Sequence, residues 1–402
     1  MTTLLRARPA EDAASVRAAG LLALGAFLLI LLSGRSLDLL GSPARMALVI
    51  VWPLAAVALW LSSRISAAAV YLIAGGLLLR WVELPAGGAG PSDVLAAVNE
   101  ALDVWFGGGN PYDHVYQMTR PAGQPMPYPP GALLVHLPGF LVSGLAGVQF
   151  TEFVLAAAAM AGFVILGASV SWIAALPALA VYASAPNLVL LATDGSSDTG
   201  SGAMLLLAVL AVAWAVDRGL DDASMFLAGI AGALAVSTKQ IALPIVLVLA
   251  VYLLRRYGWR PAARYAAAGA AILLLISLPF LIAGPPAYLR GLLSFIGVHQ
   301  DIYGWNIWTL AQGLGLTPWE QQPATVLNAV LSAIALLVAV VLPYRSLAGA
   351  VLAGVVVTLV MLLTARWTTY AYFALLAPVV LALPALALWE ARDRPAASAL
   401  GA

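Results

Sequence analysis

The residues with a chemical use gather in a few places. Asp93 and Glu100 stand in PSDVLAAVNEALDVWFGGGNPYD, residues 91–113. A carboxylate held within hydrogen-bond reach of a hydroxyl can take its proton as a general base. Lys239 is the only lysine of the chain and lies between two apolar runs. A cation there can hold a phosphate and stabilise it as a leaving group. Arg290 and Arg366 compete for that role, and their planar forks match phosphate oxygens better.

Each of these has a plainer reading. Acids in such a stretch usually form the solvated face of a helix, and a lysine at a helix junction can simply snorkel to water. Asp194 and Asp198, in the turn DGSSD, either cap the next helix or face the same cavity as a second acid that orients an acceptor. The pair could also hold a divalent ion, but two carboxylates without a histidine partner are weak evidence for one, so no metal and no cofactor is expected. The run His299-Gln300-Asp301-Ile-Tyr303-Gly-Trp305-Asn306-Ile-Trp308 is either an interfacial aromatic belt or a sugar platform, with Gln300, Asp301 and Asn306 bonding hydroxyls. His136, inside an apolar run, reads as a satisfied buried histidine, and His114 as solvated loop.

The elements that must position these groups follow from composition. Of 402 residues, 63% are hydrophobic and 9% charged. A soluble domain carries about 25% charged residues, so the chain reads as an all-α polytopic membrane protein. A net charge of +1 without a dense basic patch argues against nucleic acid. The absence of cysteine removes disulfides and thiolate chemistry.

A spanning helix needs about 20 apolar residues. Candidate segments fall at 18–33, 46–62, 66–81, 131–146, 149–170, 171–193, 201–216, 223–238, 240–254, 262–283, 324–343, 347–364 and 368–389. The first reads as a retained signal anchor, since no small-residue cleavage pattern follows it. Arg6, Arg8 and Arg17 place the N-terminus in the cytoplasm. Arg64, Arg218, Arg255, Arg256, Arg260, Arg264, Arg345, Arg392 and Arg394 then also fall inside, provided one segment within 131–193 does not cross.

Pro138 and Gly139 single out 131–146 as a possible re-entrant element. The expectation is about twelve crossings in a cell membrane, within 11–13, with both termini cytoplasmic. Residues 1–402 form one transmembrane domain, with long external loops at 82–130 and 285–323. In the first loop Val94, Leu95, Val98, Ala101, Leu102 and Trp105 share one helical arc, opposite Asp93, Glu100 and Asp103. That pattern predicts an amphipathic helix on the membrane surface, apolar side down, with Ser92 as a cap.

The order Asp93, Asn99, Gly107-Gly-Gly-Asn110-Pro-Tyr112-Asp113 and Tyr128-Pro-Pro130 resembles the first external loop of the GT-C glycosyltransferases. The likeness is greatest to the family 87 type polyprenol-phosphate-mannose-dependent mannosyltransferases. Asp194-Gly-Ser-Ser-Asp198 and Arg366-Trp-Thr-Thr-Tyr370-Ala-Tyr-Phe373 resemble that group's later Gly-x-x-Asp motif and Arg/His-then-Tyr helix start. The chain departs from the family in having three helices before the acidic loop, where one is common.

The resemblance implies a GT-C-like bundle with Asp93 as catalytic base and an active site facing outside. Its motifs imply substrate contacts from Asn110, Tyr112, Tyr128, Asp198, Arg366 and Tyr370, and the residue reading adds Glu100, Lys239, Arg290, His299, Gln300 and Asn306 as candidates. The expected reaction moves a hexose, mannose foremost, from a polyprenyl-phosphate donor to a lipid, glycan or protein acceptor, with inversion. Partners are then the lipid-linked donor, the acceptor and membrane lipids. The competing readings are a transporter or flippase of a lipid-linked sugar, a non-catalytic partner in wall assembly, and an enzyme using lipid diphosphates. A transporter predicts mid-helix ionisable groups and repeated halves. No repeat is visible, and Glu152 is the one ambiguous acid.

Overall fold

Long runs of Ala, Leu, Val and Ile leave the backbone one way to satisfy its polar groups in an apolar medium, which is to coil into helices. The computed structural model describes residue 54 and residues 64–84, 92–119, 122–297, 302–316 and 321–392. Segments 18–33 and 46–62 of the sequence reading lie outside the described residues apart from Leu54, as do His299, Gln300 and Asp301.

The chain begins its described course with α1 (Ile65–Glu83), α2 (Val94–Phe106), α3 (Pro130–Ser143) and α4 (Leu145–Ser169). Next come α5 (Trp172–Ser184), the short α6 (Pro186–Leu191), α7 (Asp198–Asp217) and α8 (Asp222–Thr238). A 3-10 turn, Gln240–Ala242, leads into α9 (Leu243–Tyr257), then α10 (Trp259–Ala283) and α11 (Pro285–Gly297). The remainder is α12 (Ile307–Gly313), α13 (Gln321–Val341), α14 (Leu347–Thr364) and α15 (Tyr370–Arg392).

Seven spans among the described residues are long and apolar enough to cross a membrane: Leu145–Ser169, Asp198–Asp217, Gln240–Tyr257, Trp259–Ala283, Ala324–Val341, Leu347–Thr364 and Tyr370–Ala391. They mark a membrane-embedded chain. Ile65–Trp81, Pro130–Ser143, Trp172–Ser184 and Asp222–Thr238 are apolar but shorter.

The central helices α1, α4, α5, α7, α8, α9, α14 and α15 share one apolar core, with Phe163, Leu179, Leu206, Ile245, Val351 and Leu376 at its heart. By contrast α10 and α13 leave most of their apolar surface exposed, as lipid-facing helices would.

Helix direction can be read from close neighbours. Gly162 of α4 lies against Leu206 and Leu210 of α7, and Glu152 lies against Gly200, so α4 and α7 run the same way. His136 meets Glu152, while Gly139 meets Gly147. Helices α3 and α4 are therefore an antiparallel hairpin turning at Gly144, whose φ of +56° suits glycine. A Cβ on Gly147 would stand 1.8 Å from the Gly139 carbonyl oxygen, so this close crossing needs small residues.

Helix α2 forms where the amphipathic pattern predicts it, and Val94, Leu95, Val98, Ala101 and Leu102 are buried. They pack against protein, α3 and α4, rather than presenting a lipid-facing surface. Periodicity identifies a buried face but not what covers it.

Residues 303–304 and 367–368 form strands β1 and β2, a two-residue parallel pair with Tyr303 opposite Trp367. Nothing in the sequence signals this pairing. A Cβ at Gly304 would lie 1.9 Å from the Thr368 carbonyl oxygen, and its φ is +94°, so glycine is required for the approach.

Candidate functional site

The first turn of a helix leaves backbone N–H groups without intrahelical partners. At the start of α2 one such donor, and another just before the helix, go to a different segment. Ser92 N–H bonds the Asp194 carbonyl and Leu95 N–H the Gly195 carbonyl, each at 2.8 Å. Val94 N–H reaches Ser92 Oγ at 3.4 Å, a weak cap. The Asp93 side chain does not cap the helix. Docked on the 194–195 turn, Asp93 and Asp194 line the same cavity.

That cavity, of about 550 Å³, lies where the starts of α2, α7 and α15 meet the end of α8. Asp93, Asp194, Asp198 and Lys239 supply its charge, and Tyr128, Tyr303, Trp367, Tyr370 and Tyr372 its aromatic wall. Ser92, Gln124, Ser196, Gln240 and Thr369 add polar side chains. The size falls within the roughly 300–1,000 Å³ typical of small-molecule sites.

Lys239 and Asp198 are an ion pair at 2.7 Å, with only 2% and 1% of the side chains exposed. Antiparallel α7 and α8 place the first residue of one, Asp198, beside the residue that follows the other, Lys239, which brings the pair together. The ammonium also lies 4.8 Å from the Tyr372 ring centroid and 5.7 Å from that of Tyr128, a cation–π setting. An ammonium has three donors, so Lys239 can bond a ligand oxygen as well as Asp198.

Burial pushes the Asp194 carboxyl up to about 6, against the opposing hydrogen bonds from Ser196 and with Asp198 and Glu152 adding to the rise. Burial, then Tyr372, Asp93 and Asp198, raises the Tyr128 hydroxyl well above its ordinary range. The two acids thus act electrostatically on the same ring.

Strand β2 carries Trp367 into the wall, and β1 sets Tyr303 beside it with ring centroids 4.5 Å apart. Tyr303 N–H bonds the Arg366 carbonyl at 2.9 Å and Trp305 N–H the Thr368 carbonyl at 2.7 Å.

Of the sequence candidates, Asp93, Tyr128, Asp198, Lys239 and Tyr370 meet in this cavity. Arg366 directly precedes Trp367, and burial lowers its guanidinium below its ordinary range. The other described candidates sit elsewhere. Glu100 pairs with His114 at 2.8 Å. Asn110 accepts the Tyr112 N–H at 3.0 Å, closing a turn. Tyr112 is buried against Phe280 and Tyr288, and its hydroxyl bonds the Tyr128 carbonyl at 2.8 Å. Arg290 is exposed, 3.9 Å from Asp113. Asn306 caps α12 and donates to the carbonyls of Tyr303 and Arg366, so its amide fastens the strand pair and does not line the cavity.

Sequence reasoning missed the role of Arg80 and the partner of His136, which is buried and satisfied as its apolar setting predicts. Arg80, fully buried in α1, donates to the carbonyls of Gly76, Tyr182, Ala183 and Leu188, which closes the end of α5 over a buried charge. An arginine inside an apolar span was the signal available. His136 and Glu152 form a buried pair at 2.9 Å. Among the described residues no group of three or more His, Asp or Glu side chains could hold a metal ion. No family model, curated protein or solved structure matches the chain.

Proposed function

We propose that this chain is an integral membrane glycosyltransferase. It moves a hexose, mannose foremost, from a polyprenyl-phosphate donor to a hydroxyl of a lipid, glycan or protein acceptor on the outer side of a cell membrane. The observation that carries the reading is one aromatic-walled cavity holding Asp93 together with the Asp198–Lys239 pair, at one end of a helical bundle suited to lipid.

Asp93 takes the proton of the acceptor hydroxyl as its oxygen bonds the anomeric carbon. The bond from that carbon to the phosphate oxygen breaks, and the electron pair leaves with polyprenyl phosphate. Attack opposite the leaving group inverts the centre. Lys239 donates to the departing oxygen while Asp198 balances its charge. Three carboxylates against one ammonium leave the cavity short of positive charge for a phosphate. Arg366, which borders the cavity wall through Trp367 without lining it, is the cation we assign to that need. The Tyr303–Trp367 face packs on sugar C–H groups.

The bundle has about twelve crossings, with both termini cytoplasmic. Helix α3 is the segment that does not cross. Its 14 residues rise about 21 Å, short of a hydrocarbon core of about 30 Å. The chain turns at Gly144, α4 makes the crossing, and α5 with α6 makes the next one.

The test is reconstitution in vesicles with polyprenyl-phosphate-[14C]hexoses and extracted membrane acceptors. New glycosidic product that depends on Asp93 supports the transferase. Passage of the sugar lipid between leaflets without product supports a flippase and overturns it.

A further inference from the structure

Glu152 and His136 contribute nothing to the cavity wall, yet they are among the most deeply buried ionisable side chains, 1% and 2% exposed. Both imidazole nitrogens are engaged. Nδ1 faces the Ala132 carbonyl at 2.7 Å, which can only accept, so Nδ1 carries hydrogen and donates. Nε2 faces Glu152 Oε1 at 2.9 Å, and one proton serves that contact whichever partner holds it. The other carboxyl oxygen, Oε2, accepts the Gly200 N–H at 2.6 Å.

Gly200 belongs to the first turn of α7, which begins at Asp198. The N-cap residue Ser197 makes no side-chain cap bond there. Glu152 therefore caps α7 from a different helix, its carboxyl oxygen accepting at the N-terminal end of the helix. Two acids thus meet the start of α7, each balanced by its own base: Glu152 by His136, Asp198 by Lys239.

We propose that Glu152, oriented by His136, is a positioning residue. It holds the first turn of α7 so that Asp198 meets Lys239 and the ammonium stands at a fixed place in the cavity. The role deepens the proposed transferase site and rests on that reading for its catalytic meaning. The positioning itself can be read without any turnover.

Lys239 makes that possible as the sole lysine. Amine acylation of the purified full chain, followed by peptide mapping, reports Lys239 separately from the N-terminal amine. Glu152→Gln keeps every bond, since its amide can donate to neutral Nε2 while its oxygen accepts from Gly200. Its Lys239 labelling rate should stay within about twofold of wild type. Glu152→Leu leaves Gly200 N–H and His136 Nε2 unpartnered, and labelling should rise about tenfold or more.

Should Glu152→Leu fail to fold, Gly200→Ala tests the same link without removing a charge. Its methyl would lie 2.5 Å from both Glu152 Oε1 and Leu155 Cδ1, which crowds the Glu152 contact to the first turn of α7, so labelling should rise likewise. Leu249→Ala, a core deletion elsewhere in the bundle, controls for lost stability and should leave labelling unchanged well below its Tm. Wild-type labelling in folded Glu152→Leu or Gly200→Ala overturns the proposal. So does equal acceleration in Glu152→Gln and Glu152→Leu, or acceleration in Leu249→Ala. If transfer instead survives Asp93→Asn, the transferase reading fails while the labelling result still decides the positioning.

Discussion

Two parts of one loop, both rich in the residues an active site would use, have different surroundings. At its ends, Asp93 and Tyr128 line a cavity with Asp194, Asp198 and Lys239. Between them, Asn110, Tyr112 and Tyr116 turn inward on one another. Tyr116 donates to the Pro111 carbonyl, Tyr112 stacks edge-on with Tyr288 at 4.8 Å, and Glu100 pairs with His114. The middle of the loop is a fastening, and what it fastens is Tyr128, whose carbonyl receives the Tyr112 hydroxyl. A motif can therefore be needed for function without touching substrate.

This division predicts different failures for the two parts. Asp93→Asn should lower transfer by about 100-fold or more with an unchanged Tm, as loss of a general base does. Tyr112→Ala should behave oppositely, losing about 3–5 kcal/mol of stability in thermal unfolding, as for large aromatic deletions. Its transfer per folded molecule should fall far less. Should Tyr112→Ala abolish transfer at full stability, the fastening account of this motif fails.

Trp367→Ala should raise the KM for donor or acceptor by about three- to tenfold through loss of the aromatic face, with a smaller effect on kcat. Gly304→Ala, which drives β1 from β2, should reproduce that KM change without removing an aromatic ring.

The Asp194 carboxyl, raised to about 6, gives a pH signature. Because its folded value lies above its unfolded one, folding favours the protonated form. Its contribution to stability is present at low pH and is lost as pH rises through about 4 to 6. Above that window the cavity carries one more negative charge, so KM for an anionic donor should increase as pH passes about 6. Asp194→Asn should flatten that rise and add stability at pH 7 relative to wild type. The smallest effect belongs to Glu100→Gln, a partly exposed pair worth at most about 1 kcal/mol.

Much of the bundle was legible because a bilayer allows so few solutions. The apolar runs from 66 onward mark the helices within a few residues, and Pro138 with Gly139 pointed to the short hairpin element. The apolar arc of α2 was also legible, but its partner was not, because the same stripe packs on lipid or protein. Within the site, Asp198 and Lys239 stand out by charge scarcity, while Asp93 is separated from Glu100 only by its resemblance to a family motif. Their assembly was not legible, since it depends on backbone bonds from Ser92 and Leu95 to the 194–195 turn, which no side-chain pattern records. The Tyr303–Trp367 pairing, the Arg80 carbonyl cage and the Glu152 cap are likewise contacts between distant segments.

The most direct test sets the two carboxylates of α2 against each other. Wild type, Asp93→Asn and Glu100→Gln are reconstituted at equal folded concentration, and initial rates of [14C]hexose transfer from polyprenyl phosphate are measured at saturating donor. Rates near wild type for Glu100→Gln and lower by about 100-fold or more for Asp93→Asn are predicted. Equal rates for Asp93→Asn and wild type would contradict the assignment of this cavity as the place where the acceptor is deprotonated.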